Sequence, residues 1–190
     1  MRPIDIAVLV SGSGSNLQAL IDHRGAYEIV VVVSDRRHVK ALDRAEAAGL
    51  STRLVEWEGD RATFTTAVCD VVDQAGAELM VLAGFMRILG PEAIARFPGR
   101  ILNIHPSLLP AFPGARAVGQ ALEAGVAATG VTVHVVDEHV DHGPIVAQVE
   151  VPVLDGDDEA SLHARIQVQE HLLYPRVVDR FARGEIGVVT

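Results

Sequence analysis

The sequence contains little cysteine, few aromatic residues and a deficit of positive charge. Its one cysteine, Cys69, excludes an internal disulfide bond. Aromatic residues make up 4% of the 190 residues, so Val, Ala, Leu and Ile have to form the hydrophobic core. Lysine and arginine number 16 against 25 acidic residues, which gives a net charge of −9. This balance argues against nucleic-acid binding, which depends on basic side chains that neutralise phosphates.

Long apolar segments are also missing. No apolar run approaches the length of a membrane span, and the first residues, MRPIDIAVLV, lack the apolar segment and cleavage site of a signal peptide. We therefore expect a cytoplasmic protein that does not bind membranes. The hydrophobic fraction of 49% and the charged fraction of 22% are typical of a globular chain. The length fits one domain over residues 1–190.

Cys69 can be interpreted as a nucleophile or as a small core residue. It lies in TTAVCDVVDQAG, a helical pattern in which valines surround it. This setting favours the core role, because reactive cysteines need a polar environment that stabilises the thiolate.

Strand and helix patterns alternate through the first half of the chain. Apolar runs typical of buried strands cover residues 4–10, 27–35, 51–57, 77–85 and 100–105, and helical patterns lie between them at 15–23, 39–50, 61–76 and 91–99. This order predicts an α/β fold with a doubly wound, mostly parallel sheet. After Gly114 we expect a helix at 119–126, antiparallel strands at 128–138 and 143–153, and a long C-terminal helix at 157–184, bent at Pro175.

Three polar segments follow strands of this predicted sheet. They are SGSGSN at 11–16, AGFMRIL at 83–89 and NIHPSLLP at 103–110. Because ligands of open parallel sheets bind beyond the carboxyl ends of the strands, we expect the three segments to lie around one site.

The segment SGSGSN is a glycine-rich turn at the start of a helix. Gly12 and Gly14 let the backbone turn tightly and approach a ligand, and the helix N-terminus offers free N–H groups to an anion. The lysine of a Walker A loop is absent, and Leu17 occupies the third glycine position of a dinucleotide fingerprint, although Asp35 ends the next strand as that fingerprint requires. A phosphate site is favoured, and a capped tight turn is the alternative.

Asn103 and His105 are spaced to share one face of an extended segment, and Pro106 fixes the turn that follows. Two such donors aimed at one point suit a developing oxyanion. A capped strand end with a hydrogen-bonded histidine is the alternative. Asp141, in the segment VDHGP, adds a carboxylate that can orient and stabilise a protonated imidazole.

The remaining histidines give weaker signals. His134 and His139 lie near the Asp141 loop, but HVDH is too short and flexible for a dependable zinc site, so no metal is predicted. His163, Gln167 and Glu170 share a face of the C-terminal helix. This face is either solvated or directed at a ligand.

Taken together, these motifs resemble those of the phosphoribosylglycinamide formyltransferases, folate-dependent enzymes of purine synthesis. The resemblance extends from the first strand to the last helix and is carried by SGSGSNLQALI, VLAGFMRIL, ILNIHPSLLPAFPG, VDHGP and QEHLLYPRVV. The element HPSLLP marks formyltransferases generally, and SGSGSN with AFPG separates this group from the tRNA formyltransferases. The resemblance implies a Rossmann-like formyltransferase fold whose N-terminal half binds the ribonucleotide and whose C-terminal half binds folate.

The resemblance also implies roles for individual residues. The positions that match the catalytic trio are Asn103, His105 and Asp141. Those that match substrate-binding positions are Gly14, Ser15, Asn16, Gly84, Met86, Pro106, Gln167 and Glu170. Those that match the folate pocket are Met86, Arg87, Leu89, Ile94, Asp137, Glu138, His139, Val140 and Asp141. Two positions depart from the family pattern: Val118 replaces a usual histidine, and His142 replaces a usual small residue.

The implied reaction moves a formyl group from 10-formyltetrahydrofolate, used as cosubstrate, to the amine of phosphoribosylglycinamide. It needs direct amine attack through a tetrahedral intermediate and no metal. The implied partners are these small molecules, and the protein would be a monomer or a homodimer. The alternatives are a 10-formyltetrahydrofolate hydrolase, in which water takes the formyl group, and a non-catalytic nucleotide-binding module.

Overall fold

Seven strands form one sheet in the computed structural model, which describes residues 2–186. The strands are β1 (Ile4–Val10), β2 (Tyr27–Ser34), β3 (Thr52–Leu54), β4 (Leu79–Leu82), β5 (Ile101–His105), β6 (Ala128–Val135) and β7 (Ile145–Pro152). Their order is β3-β2-β1-β4-β5-β6-β7. Strands β1 to β5 are parallel, whereas β6 and β7 are antiparallel to their neighbours. The predicted mostly parallel sheet with antiparallel C-terminal strands is confirmed.

Six helices cover the two faces of the described sheet. They are α1 (Ser15–Asp22), α2 (Lys40–Ala47), α3 (Arg61–Gln74), α4 (Pro91–Arg96), α5 (Ala117–Glu123) and α6 (Glu159–Ala182). Helix α6 begins with a capping box, in which Asp158 and Ser161 satisfy each other's backbone N–H groups. In the described part of the chain, no helix has the length and apolar character needed to cross a membrane.

The hydrophobic core has two parts, one on each face of the sheet. Alternate residues of β1 divide between them, so Ile6 and Val8 pack towards α1, α2, α5 and α6, and Ala7 and Leu9 pack towards α3 and α4. Burial on both faces explains why β1 is a continuous apolar run rather than an alternating one.

Two positions whose role the sequence left open, Cys69 and Val118, lie in the hydrophobic core. Cys69 is fully buried between α3 and the sheet, and burial raises the pKa of its thiol to about 11. The prediction that Cys69 is a core residue is confirmed. Val118, where the family usually has histidine, is buried in the other half of the core.

Some predicted boundaries are wrong. Strand β3 has three residues instead of seven, because Trp57 leaves the ladder and packs edge-on against Phe64 of α3. Helix α5 starts at Ala117, two residues before the predicted start. Helix α6 continues past Pro175 to Ala182, and the bend at Pro175 stays a prediction.

Candidate active site at the carboxyl edge of the sheet

The carboxylate of Asp141 is the centre of a polar cluster. Its Oδ2 lies 3.3 Å from Nδ1 of His105, and its Oδ1 lies 3.4 Å from Nε2 of His134. The side-chain amide of Asn103 donates to Oδ1 over 3.3 Å. The Asp141 side chain is 10% exposed, so these contacts are formed largely away from water. The structure therefore brings together the three residues that the sequence assigned to catalysis.

The fold positions each member of the cluster through the backbone. Asn103 and His105 lie on β5, and the antiparallel register of β6 sets His134 opposite Asn103. Asp141 lies in the loop between β6 and β7 and has a left-handed φ of 52°. The backbone N–H of Gly114 donates to Asp141 Oδ2 over 2.8 Å, which ties this loop to the segment after β5.

The two ring nitrogens of His105 both face acceptors. Nδ1 faces Asp141, and Nε2 lies 2.9 Å from the carbonyl oxygen of Phe112. A carbonyl and a carboxylate can only accept, so both contacts are satisfied only when both nitrogens carry hydrogen. The site thus offers an acceptor to each ring nitrogen of His105.

His134 is a member of the cluster that the sequence analysis did not assign. Its Nδ1 lies 3.1 Å from the carbonyl oxygen of Val135, which can only accept, so Nδ1 carries a hydrogen. Nε2 then accepts from the Asn103 amide at 3.2 Å in the neutral ring and donates to Asp141 in the protonated ring. The sequence could have indicated His134 only through its position on β6. To use that position, one has to know that β6 pairs antiparallel with β5 and sets His134 opposite Asn103.

The electrostatic balance favours an ionised Asp141. Burial by itself would raise the pKa of this carboxyl group. Hydrogen bonds from His134 and from the Gly114 N–H, together with the positive charges of His105 and His134, outweigh burial and lower that pKa below its usual value. The cluster therefore keeps a negative charge beside the histidines at neutral pH.

The glycine-rich turn, which follows β1 at the carboxyl edge of the sheet, meets helix α6. The Asn16 amide donates to Glu170 Oε2 over 3.0 Å, and both side chains are buried. Asn16 Oδ1 is also buried and has no partner among residues 2–186. Gly14 has a left-handed φ of 70°, and a Cβ there would lie 2.6 Å from the Ala41 Cα, so this position must be glycine. Gly12 has open space around its Cα.

Helix α6 directs one face into the molecule. Glu170 is 6% exposed, Gln167 is half-buried and His163 is exposed, so the solvated-face alternative is wrong for Glu170. One turn further on, the buried Tyr174 hydroxyl lies 2.9 Å from the carbonyl oxygens of Leu82 and Leu102. Burial, and then the charge of Glu170, raise the pKa of Tyr174 well above its usual value, so this anchor stays protonated. Tyr174 holds α6 against the last residue of β4 and the second residue of β5.

The segment after β4 also reaches the site. The backbone N–H of Met86 donates to the Ser11 hydroxyl over 2.8 Å, which joins this segment to the glycine-rich turn. The Met86 side chain is 66% exposed, and Gly84 is exposed with a left-handed φ of 72°. Pro106, at the end of β5, is half-buried. The three segments predicted to share one site are adjacent.

The positions matched to the folate pocket divide into two groups. Leu89 and Ile94 are partly buried against the α3 side of the core, and Val136 packs on the same cluster at the start of the β6–β7 loop. Residues 138–140 are the exposed part of the segment from 137 to 141, whereas Asp137 and Asp141 are partly buried. The two groups therefore border one region of the surface.

Arg87 has partners within the protein. Its Nε donates to Asp35 over 2.8 Å, and its guanidinium carbon lies 5.0 Å from the centre of the Trp57 ring. The Asp35 carboxylate is buried beneath this arginine. It is therefore an ion-pair partner and not the free acid that a dinucleotide ribose would need.

A cleft of about 500 Å³ lies beside the glycine-rich turn, between α1 and α6. Its walls include Ser15, Gln18, Arg44, His171 and Arg176. The Arg44 guanidinium donates to the carbonyl oxygen of Ser13 over 3.0 Å, so a positive charge is held next to the turn. The cleft does not include the Asp141 cluster, and we assign the chemistry to the cluster because the titratable groups converge there.

A polar cluster at the carboxyl edge of a doubly wound sheet, next to a glycine-rich turn, is the arrangement expected of a group-transfer enzyme. Residues 4–178 match the family model described as formyl transferase, and the chain belongs to this family.

Similar proteins within this family have names that give their activity. The phosphoribosylglycinamide formyltransferase of Escherichia coli (strain K12) is 41% identical over 189 residues, which cover 96% of this chain and 89% of that protein. The trifunctional purine biosynthetic protein adenosine-3 of Bos taurus is 44% identical over 95% of this chain, but the chain spans only 18% of that protein. The crystal structure of glycinamide ribonucleotide transformylase 1 from Symbiobacterium toebii superimposes with a TM-score of 0.95 at 42% identity, covering 99% of this chain and 95% of that one.

Proposed function

We propose that this chain transfers the formyl group of 10-formyltetrahydrofolate to the amine of phosphoribosylglycinamide, a step in the de novo synthesis of IMP. The observation that carries the proposal is the buried Asp141 carboxylate shared by Asn103 and His105 beside a glycine-rich turn. Relatives of matching length named phosphoribosylglycinamide formyltransferase support the choice of substrate. In this proposal residues 1–190 form one domain, with the ribonucleotide in its N-terminal half and folate in its C-terminal half.

The ribonucleotide phosphate would bind at the turn formed by Gly14 and Ser15. Backbone N–H groups at the start of α1 suit an anion, and the neighbouring Arg44 supports the same charge preference. This local arrangement lets a protein with a net charge of −9 hold a phosphate. Asn16 Oδ1, buried and without a partner in the described chain, is an acceptor for a ligand hydroxyl or amine. Glu170 and Gln167 would accept from the ribose hydroxyls.

The folate would lie on the other side of the Asp141 cluster. Met86, Leu89 and Ile94 offer an apolar border for a flat ring, and the loop from Asp137 to Val140 offers polar groups. Gly84 and Pro106, which match the family's positions for the glycinamide, would line its path between this region and the turn proposed for the phosphate. This arrangement would place the amine against the formyl carbon.

The chemistry would begin when the amine attacks the formyl carbon, which forms a tetrahedral intermediate with a negative oxygen. The Asn103 amide and the imidazolium of His105 would stabilise this oxygen. The hydrogen that His105 can offer to this oxygen is the one on Nε2, which faces the Phe112 carbonyl oxygen in this structure. The Phe112 carbonyl therefore has to move away from Nε2 when the formyl group binds.

Asp141 would hold His105 charged and relay the proton lost by the amine to the folate nitrogen, directly or through water. The bond between the formyl carbon and that nitrogen then breaks, which gives the formamide and tetrahydrofolate. Two substrates held together supply proximity in place of a covalent enzyme intermediate. The inert Cys69 agrees with such a direct transfer.

A hydrolase that passes the formyl group to water is the main rival, since it would use the same cluster. A non-catalytic nucleotide-binding module is a weaker rival, because it leaves the shared carboxylate and its histidines without a purpose. An isotopically labelled formyl donor separates these functions. We expect the label in formylated glycinamide ribonucleotide. Label in formate would support the hydrolase, and no loss of label would support the binding module.

A further inference from the structure

The loop between β6 and β7 brings together three side chains with metal-binding atoms. One ligand atom from each of Asp137, His139 and His142 lies within 4.8 Å of the other two. In the described residues, 2–186, this is the one group of three or more His, Cys, Asp or Glu side chains with such geometry. The short segment HVDH is a poor metal site by itself, but the structure adds Asp137 to its two histidines.

Contacts within the loop orient these side chains. Asp137 Oδ1 accepts the backbone N–H of His139 over 2.8 Å, which leaves Oδ2 directed at His142 Nδ1, 3.3 Å away. The rings of His139 and His142 have centres 5.4 Å apart. Bond lengths of about 2.0–2.2 Å to a zinc ion separate neighbouring ligand atoms by roughly 3–3.5 Å. The three ligand atoms, within 4.8 Å of one another, therefore lie near coordination distance before any ion is bound.

The base of the loop is held in place. The N–H of Val135 donates to the carbonyl oxygen of Pro144 over 2.9 Å, and a Cβ on Gly143 would collide with the Val135 carbonyl. The Asp141 carboxylate is held by Gly114 and the catalytic cluster. The base of the loop is thus tied, which reduces the entropy lost on binding an ion, while the exposed residues 138–140 leave its tip for an ion to hold.

The donor set selects the kind of ion. Two imidazoles and one carboxylate suit Zn²⁺, Co²⁺ or Ni²⁺, whereas Mg²⁺ and Ca²⁺ prefer oxygen ligands alone. Three protein ligands leave a coordination position for water. His142 is 74% exposed, so an ion can enter from solvent and leave again.

We propose that Asp137, His139 and His142 form an exchangeable binding site for a divalent transition metal ion, and that the bound ion clamps the β6–β7 loop. Asp141 lies between two of the ligands in the sequence, so the clamp limits the motion of the segment that carries the Asp141 carboxylate. His142 is the ligand whose removal tests the site most directly, because its Nδ1 already lies against Asp137 Oδ2. Asp137 and His139 also belong to the loop proposed to bind folate, but metal binding is measured without either substrate, so its failure is distinguishable from a failure of the proposed function.

Calorimetry with Zn²⁺ and visible absorption with Co²⁺, both on the tag-free chain, test the site. We expect one ion per chain. His142→Ala should weaken binding at least about tenfold, because even the loss of a residue that only supports a ligand costs that much. His163→Ala removes an exposed histidine from α6 and is the matched control, which should bind normally. Absence of saturable binding, or equal loss in the two variants, would overturn the site.

Amide hydrogen exchange tests the clamp. Zn²⁺ should slow exchange at residues 137–142 in the parent chain and leave it unchanged in His142→Ala. Normal metal binding without slower exchange in this loop would overturn the clamp. Because His142 is exposed, its replacement should leave the circular dichroism spectrum unchanged, so a loss of binding can be assigned to the missing ligand.

Discussion

Asn16 at the start of α1 and Glu170 in the middle of α6 form a buried hydrogen bond 3.0 Å long across 154 positions of the chain. This bond joins the glycine-rich turn to the C-terminal helix and gives the proposed ribonucleotide site its inner wall. The bond also explains why Glu170 is only 6% exposed, although the sequence alone left a solvated helix face as an alternative.

Glu170→Ala should therefore lower both stability and ribonucleotide affinity. The Asn16 amide loses its acceptor, and an unsatisfied buried donor costs about 1–3 kcal/mol. Urea unfolding measures the first effect and calorimetry with the ribonucleotide measures the second. Val168→Ala, at an exposed position of the same helix, is the control. Equal unfolding free energies for the two variants would show that the Asn16–Glu170 bond does not support the fold.

The glycine-rich turn permits a separation of structural and binding roles. Gly12→Ala should fold normally, because a Cβ there meets open space, and should weaken ribonucleotide binding while folate binding stays the same. Gly14→Ala should instead destabilise the fold, by about 1–2 kcal/mol for the left-handed backbone and by a further amount for the contact with Ala41.

Thermal unfolding and calorimetry with each ligand test both glycine variants. Equal losses of ribonucleotide and folate affinity in a folded Gly12→Ala protein would argue against the assignment of phosphate to this turn.

The lowered pKa of Asp141 makes its stabilising contribution depend on pH. A depressed pKa in the folded state stabilises the protein above the ordinary carboxyl pKa of about 3.9, and the contribution is lost as the pH falls through the lower folded value. Asp141→Asn lacks this ionisation, so it should be less stable than the parent at pH 7, with the difference shrinking below about pH 4. Denaturant unfolding across this range measures the difference, and a constant difference would contradict an ionised Asp141 in the folded cluster.

Cys69 should be unreactive in the native protein. Its thiol is fully buried with a pKa of about 11, so thiolate is scarce at neutral pH. We expect no alkylation by iodoacetamide under native conditions, complete alkylation in denaturant, and full transfer activity for Cys69→Ala. Mass spectrometry follows the alkylation. Rapid native modification accompanied by loss of activity would require a different account of the reaction.

The sequence was sufficient to predict the order of strands and helices, because hydrophobic periodicity and glycine positions depend on local residues. It also predicted that the segments 11–16, 83–89 and 103–110 would meet, since strand ends converge at one edge of a parallel sheet. That Asp141 would join Asn103 and His105 was implied by the family resemblance.

Features that depend on pairing between distant segments were not predictable in the same way. His134 joins the cluster only because the register of β6 sets it opposite Asn103. Two contacts between nearer residues depend on loop conformation instead: Asp137 becomes a neighbour of His142 through the turn of their loop, and Trp57 leaves strand β3 to pack on Phe64. A pattern of strand and helix residues does not encode these conformations.

The central claim is that the Asp141 cluster stabilises the transition state of formyl transfer between two bound substrates. The most direct test is single-turnover transfer of a labelled formyl group by the parent chain and by Asn103→Ala, with both ligands saturating and with the ribonucleotide omitted. We predict rapid transfer to the ribonucleotide in the parent, little formate without it, and a rate lower by about 10²–10³ in the variant at unchanged ligand affinities, as for loss of an oxyanion donor. Fast formate release without ribonucleotide, or an unimpaired Asn103→Ala variant, would contradict the account.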